Sequence, residues 1–204
     1  MIHFAFYIVH SLMNRYLSIV VLGLLLQACG GNDSDNKANE ANEQRIDAQA
    51  VGVSDEAKQD AKKTAARLVE LTSMNLTEYE LSQAALRQAT NPEVKALAQQ
   101  AVNRYAQQDK ALRDLARDLK IVLPTELSAE GRDRVEDLTG EKAGTAFDLK
   151  YLEQIQKITN QMSDLADDLA DDAPNDAVRE YGNRAEKEAN QRADRAKSLR
   201  NVLG

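Results

Sequence analysis

The sequence predicts an all-α domain behind a short leader, and three observations predict it. The chain of 204 residues has only 3 Pro, 9 Gly and no Trp, while Ala, Leu, Gln and Arg, which cost little in a helix, are abundant. Apolar residues recur at alternating three- and four-residue steps, the period of a helix with one buried face. The three prolines, Pro92, Pro124 and Pro174, fall between these periodic stretches and not inside them. The length suits one domain with tails.

The first segment is the leader. Arg15 is the only charged residue before Asp33, and an apolar run from Leu17 to Leu26 follows it, then Gln27, Ala28 and Cys29, the only cysteine. A positive flank, about ten apolar residues and a small residue at the cut describe a secretory signal over residues 1–28. A membrane span needs about 20 such residues. Leu26-Gln27-Ala28-Cys29 resembles the lipobox of bacterial lipoproteins. The resemblance implies that the Cys29 sulfur takes a diacylglycerol, that Cys29 becomes the N-terminus, and that two or three acyl chains anchor the protein. Gly30 is not the aspartate that retains such proteins at the inner membrane, so the resemblance points to the outer membrane, periplasmic side. Residues 1–12 contain no Lys or Arg, and the leader is complete from Met13, which suggests translation from Met13. The competing reading joins both apolar runs into one uncleaved anchor broken by Asn14 and Arg15.

Residues 29–54 are polar and nearly free of large apolar side chains. They bury too little to offset the entropy of ordering, and a flexible tether is expected, with a reach of roughly 25–30 Å.

The domain is expected over residues 55–204. The first long helix has the seam Ala65, Leu68, Thr72, Asn75, Tyr79, Ser82, Leu86 and Ala89. It stops at Asn91-Pro92, where Asn91 caps the second helix and Pro92 suits its first turn. The second seam is Val94, Ala98, Ala101, Tyr105, Gln108, Leu112, Leu115 and Leu119, ending before Pro124. Ser128 caps a short connecting helix. The third long helix carries Phe147, Tyr151, Ile155, Ile158, Met162, Leu165 and Leu169 and stops before Pro174. The fourth has Val178, Tyr181, Ala185, Ala189, Arg192, Ala196, Leu199 and Leu203 on its inner side. Four long helices with tight turns and one long crossover, between helices two and three, predict a four-helix bundle of ferritin-like layout. Long helical hairpins or an extended coiled coil are the alternatives.

"TEYELSQAALRQATNPEVKALAQQAV", then "LP", then "GTAFDLKYLEQI" resembles a family of bacterial envelope proteins with a ferritin-like fold, a domain of unknown function often labelled outer-membrane protein. The similarity covers roughly residues 60–203, and "NPEVKALA" and "FDLKYL" are its most specific segments. Family members carry one histidine on each of helices two, three and four and a glutamate on helix one, a set that implies an inward-facing metal site. Aligned on the flanking motifs, Glu78 takes the glutamate position, and Tyr105, Thr159 and Arg192 take those of the histidines. Both histidines of this chain, His3 and His10, lie upstream of Cys29. Cleavage at Cys29 therefore removes imidazole acid/base chemistry, imidazole metal ligands and Ser/His/Asp or Cys/His nucleophiles together.

Glu78 lies about 60° from the centre of its predicted seam at 100° per residue. Either the Arg192 guanidinium stands in for a bound cation and neutralises Glu78 as a buried ion pair, or both side chains snorkel to solvent. No metal site and no cofactor is assigned.

Other features have plain readings. Five aspartates within Asp164–Pro174 form a solvated acidic face, since Leu165 and Leu169 keep helical phase and no glycine loop is present to bind Ca²⁺. The mixed basic helix 184–200 is explained by intrahelical pairs such as Glu188–Arg192. Tyr79, Tyr105, Tyr151 and Tyr181 read as buried rings with wet hydroxyls. Residues 140–144, "GEKAG", lack the Lys-Ser/Thr of a phosphate loop and read as a turn. A net charge of −7 weighs against nucleic acid. The expected function is a lipid-anchored periplasmic bundle with a non-catalytic binding or structural role toward an unknown envelope partner. The alternative is a carboxylate-based metal-binding or oxidoreductase protein.

Overall fold

The computed structural model describes residues 33–49 and 52–204, and every regular element among them is a helix. In chain order these are α1 (Ser34–Gln49), α2 (Asp55–Gln88), α3 (Pro92–Leu119), α4 (Ala129–Thr139), α5 (Thr145–Asp172) and α6 (Asp176–Leu203). The chain is all-α, as its composition predicts. None of the described helices is long and apolar enough to cross a membrane. The leader, Met13 and Cys29 lie outside the described residues.

Helix ends fall where short polar side chains can take up free backbone N–H groups. Asn91 accepts from Glu93 N at 2.8 Å and Val94 N at 3.3 Å, with Pro92 in the first turn of α3. Ser54 caps α2 by accepting from Ala57 N, Ser128 caps α4 by accepting from Gly131 N, and Asn175 caps α6. Lys120, with φ of 58°, closes α3 in the left-handed region that ends many helices.

The α2–α3 turn is held from a distance by Asp148, in the first turn of α5. Its carboxylate accepts from Thr90 N at 3.0 Å, Thr90 Oγ1 at 2.7 Å and Asn91 N at 2.8 Å, and it is buried. An acid at a helix N-terminus is favourable. Here it also satisfies donors of the neighbouring turn.

Each long helix packs against two others: α2 on α3 and α5, α6 on α5 and α3. The four contacts are unequal. α5 and α6 are pressed together by small residues, and at Gly182 an added Cβ would lie 2.6 Å from Ala166 O and from Ala170 N. α3 and α6 touch only sparsely. A cleft opens between them.

Two apolar clusters fill the interior. One, toward the α2–α3 turn, contains Leu81, Leu97, Leu138, Phe147, Tyr151, Leu152, Ile155 and Leu199. The other contains Leu68, Leu71, Leu112, Met162, Leu169, Val178 and Tyr181. Between them lies a polar layer: Asn75, Glu78 and Ser82 on α2, Thr159 and Ser163 on α5, and Arg192 on α6, all buried.

Within the stretch expected to be a flexible tether, the structure differs: residues 34–49 form α1 and dock on α2. The docking is polar. Asn42 donates from Nδ2 to Val122 O at 2.9 Å and accepts at Oδ1 from Val122 N at 2.7 Å, copying a backbone pair. Asp33 accepts from Ala129 N, Ser34 donates to Glu126 O, and Ser73 donates to Asp35. Only Ala38 and Asn42 of this helix are buried. A polar helix can be held by hydrogen bonds to its neighbours where no apolar stripe exists.

Candidate functional site

The polar layer is built by helical phase. On α2, Leu68, Leu71, Asn75, Glu78, Ser82, Ala85 and Ala89 follow steps of three and four and are all buried. The inner line therefore runs through Glu78, and Tyr79, expected on the seam, is half-buried and stacked on Tyr105 with ring centroids 4.4 Å apart. On α6, Ala189, Arg192, Ala196 and Leu199 share the buried line. On α3, Arg104 is in phase with Leu97, Ala101 and Gln108.

These phases bring three charges together. Arg192 Nε lies 3.1 Å from Glu78 Oε1, with the two residues 5% and 4% exposed. Arg104 Nη2 approaches the same oxygen at 3.7 Å. The contacts are close in distance but poorly aligned. Glu78 Oε1, Arg192 Nε and Nη1, and Arg104 Nε and Nη2 are all buried without a hydrogen-bond partner among the described residues, as is Asn75 Oδ1. Arg192 Nη2 reaches only the Met162 sulfur, at 3.6 Å, a weak acceptor. Burial holds the Arg104 guanidinium below its ordinary range; Glu78 opposes that shift and Arg192 adds to it. Two guanidinium charges thus face one carboxylate.

The cluster borders the α3–α6 cleft, which has a volume of about 260 Å³. Its walls include Leu71 and Asn75 on α2, Arg104 and Ala111 on α3, Met162 on α5 and Arg192 on α6. Arg184 stands over the Tyr181 ring at 5.7 Å, and Glu188 accepts from Gln108 Nε2 at 3.1 Å. The expected intrahelical Glu188–Arg192 pair is not formed, because Arg192 turns inward to Glu78 and Glu188 turns to α3.

The other positions implied for a metal set are occupied differently. Thr159 is buried and donates its hydroxyl to Ile155 O at 2.7 Å. Tyr105 is half-buried against Tyr79. Among the described residues no group of three or more His, Cys, Asp or Glu converges as a metal site would require. With two guanidiniums beside its carboxylate, Glu78 does not fit a cation. Tyr151 is fully buried, hydrogen-bonded to Ser82 Oγ at 3.0 Å, and its burial pushes the hydroxyl well above the ordinary tyrosine range. Its proton stays on at neutral pH.

The aspartate-rich end of α5 is engaged by a cation of the protein. Arg67 Nη2 donates to Asp168 Oδ2 at 2.9 Å and Asp172 Oδ2 at 3.0 Å, and Nη1 to Asp168 O. That contact offsets negative charge at a helix C-terminus. Arg104 and Arg67 are the residues that sequence reasoning missed. For Arg104 the signal is its phase with Leu97 and Ala101; for Arg67 there is none, since its partners are about a hundred residues away.

Over residues 49–199 the chain matches the family described as a domain of unknown function, DUF4142, and it belongs to that family. No curated protein and no solved structure matches it significantly.

Proposed function

We propose that the chain, a member of a family with no assigned activity, is a lipid-anchored protein of the bacterial cell envelope with a binding or structural role. In this reading Cys29 is acylated, residues 1–28 are removed, and a ferritin-like four-helix bundle is held on the periplasmic side of the outer membrane. α1 leaves residues 30–33 as the stretch between Cys29 and the first helix. The observation that carries the non-catalytic half is the engagement of Glu78 by Arg192 and Arg104, where the resembling family would place a metal. The lipobox-like Leu26–Cys29 and its apolar leader support the address.

Labelled palmitate, fed to cells expressing the chain or its Cys29→Ala variant, tests the address. Label in the outer-membrane fraction of the parent and none in the variant is the expected result. An intact, unacylated polypeptide that keeps its leader contradicts it. Metal analysis of the purified protein tests the role: stoichiometric iron or manganese surviving dialysis would favour the carboxylate-based metal reading instead.

A further inference from the structure

We propose that the α3–α6 cleft binds a small organic monocarboxylate, with the anionic end between Arg192 and Arg104 and the apolar body against Leu71, Ala111 and Met162. Three observations carry this. Arg192 is only 5% exposed, lines the cleft, and has two nitrogens, Nε and Nη1, without an acceptor among the described residues. Buried donors of this kind cost free energy until an acceptor or water meets them. Arg104, on the opposite wall, has Nε and Nη2 in the same condition. An acceptor between them would receive charge-assisted bonds from both sides, the strongest class available to a carboxylate.

Charge selects the valence. Arg104 and Arg192 exceed Glu78 by one positive charge, and Arg184 and Glu188 on the cleft's lining cancel. A monoanion neutralises that excess, whereas a dianion would leave an uncompensated negative charge in a half-enclosed site. The wall selects the body. Beside the guanidiniums stand Leu71, Ala111, Met162 and the Tyr181 ring, which suit an apolar group, while two of the other polar walls are engaged within the protein, Gln108 donating to Glu188 and Arg184 lying over the Tyr181 ring. The cleft's volume, about 260 Å³, sits below the usual range for drug-sized ligands, roughly 300–1,000 Å³. It is scaled for a compact molecule. Asn75 Oδ1, buried without a partner, could accept from a donor on that molecule.

This inference stands on the cleft and not on the lipid anchor, since an acylated chain that bound no carboxylate would leave the anchor untouched. Calorimetric titration of the full-length chain at neutral pH compares benzoate with benzamide, its neutral isostere, and with inorganic phosphate. Benzoate is expected to bind, with benzamide and phosphate weaker by at least ~10-fold. Arg104→Gln, at a residue only partly buried, should weaken benzoate by a similar factor. Ala111→Trp, which fills the apolar wall and leaves the charges in place, should abolish binding with helical circular dichroism unchanged. Equal binding of benzamide and benzoate overturns the assignment, as does phosphate binding more tightly than benzoate. No benzoate binding up to ~10 mM also overturns it and leaves the cleft to water. Unchanged affinity in both variants would place any bound benzoate elsewhere and overturn it too.

Discussion

Asp148 shows how much one side chain can tie together. It accepts three hydrogen bonds from the α2–α3 turn while sitting in the first turn of α5, and it is 2% exposed. Replacing it with alanine strands Thr90 N and Asn91 N and removes an acid from a helix N-terminus. Asp148→Ala should therefore cost about 2–3 kcal/mol, read as a lower urea midpoint with an unchanged slope. A loss below about 0.5 kcal/mol would mean the turn holds without it. Nothing local in "FDLKYL" announces this role, because its partners are set by the tertiary fold. Arg104 is the opposite case. Its spacing from Ala101 and Gln108 was visible, but an arginine among polar residues reads as surface until Glu78 is placed opposite it.

Among the helices, the α5–α6 pair depends on small residues, while α1 is held by polar contacts to α2 and to the stretch from Val122 to Ala129 that leads from α3 into α4. An added methyl at Gly182 meets backbone atoms of Ala166 and Ala170 at 2.6 Å, and backbone cannot swing aside as a side chain can. Gly182→Ala should force the helices apart and cost about 1–3 kcal/mol in spite of alanine's better helix propensity. A stabilised variant in thermal unfolding would show that the two helices part easily. α1 makes a different prediction. Its Asp35 faces Glu70 on α2, with Asp33 and Glu130 close by, around a cavity of about 290 Å³ that also contains Arg134. Burial, reinforced by neighbouring acids, raises both Asp35 and Glu70 above their ordinary values of 3.8 and 4.5. The docked state then binds protons more readily than the undocked one. Docking should strengthen as pH falls from neutral through the raised values, and the gain stops near the ordinary ones. Hydrogen exchange of α1 amides, corrected for intrinsic rates, should slow over that interval. Faster exchange on acidification would contradict the docking contacts.

The four long helices and the short connecting one, the caps at Asn91 and Ser128 and the breaks near the prolines were legible because each is a local property of spacing or backbone chemistry. The inner line of α2 was misread by one residue at Tyr79 and Leu86, where Glu78 and Ala85 are the buried positions, while Ser82 and Ala89 lie on it as expected. Glu78 rather than Tyr79 faces inward, since an apolar-minus-polar pattern cannot show that a carboxylate has guanidiniums waiting for it. α1 was missed for a related reason: periodicity detects burial of apolar surface, and α1 is held by Asn42, Asp33 and Ser34.

For the molecule as a whole, one physical arrangement organises the rest: an acidic chain of charge −7 that keeps a positive cluster at mid-height, between two apolar clusters. A double-mutant cycle on Glu78→Gln and Arg192→Met, by urea unfolding of the full-length chain, tests it most directly. Each single variant should cost about 3 kcal/mol, because it leaves a buried charge with a poorer partner. The double variant should cost less than the two together, by at least ~1.5 kcal/mol. Costs that add to within ~0.5 kcal/mol would mean that Glu78 and Arg192 sit side by side without acting on one another.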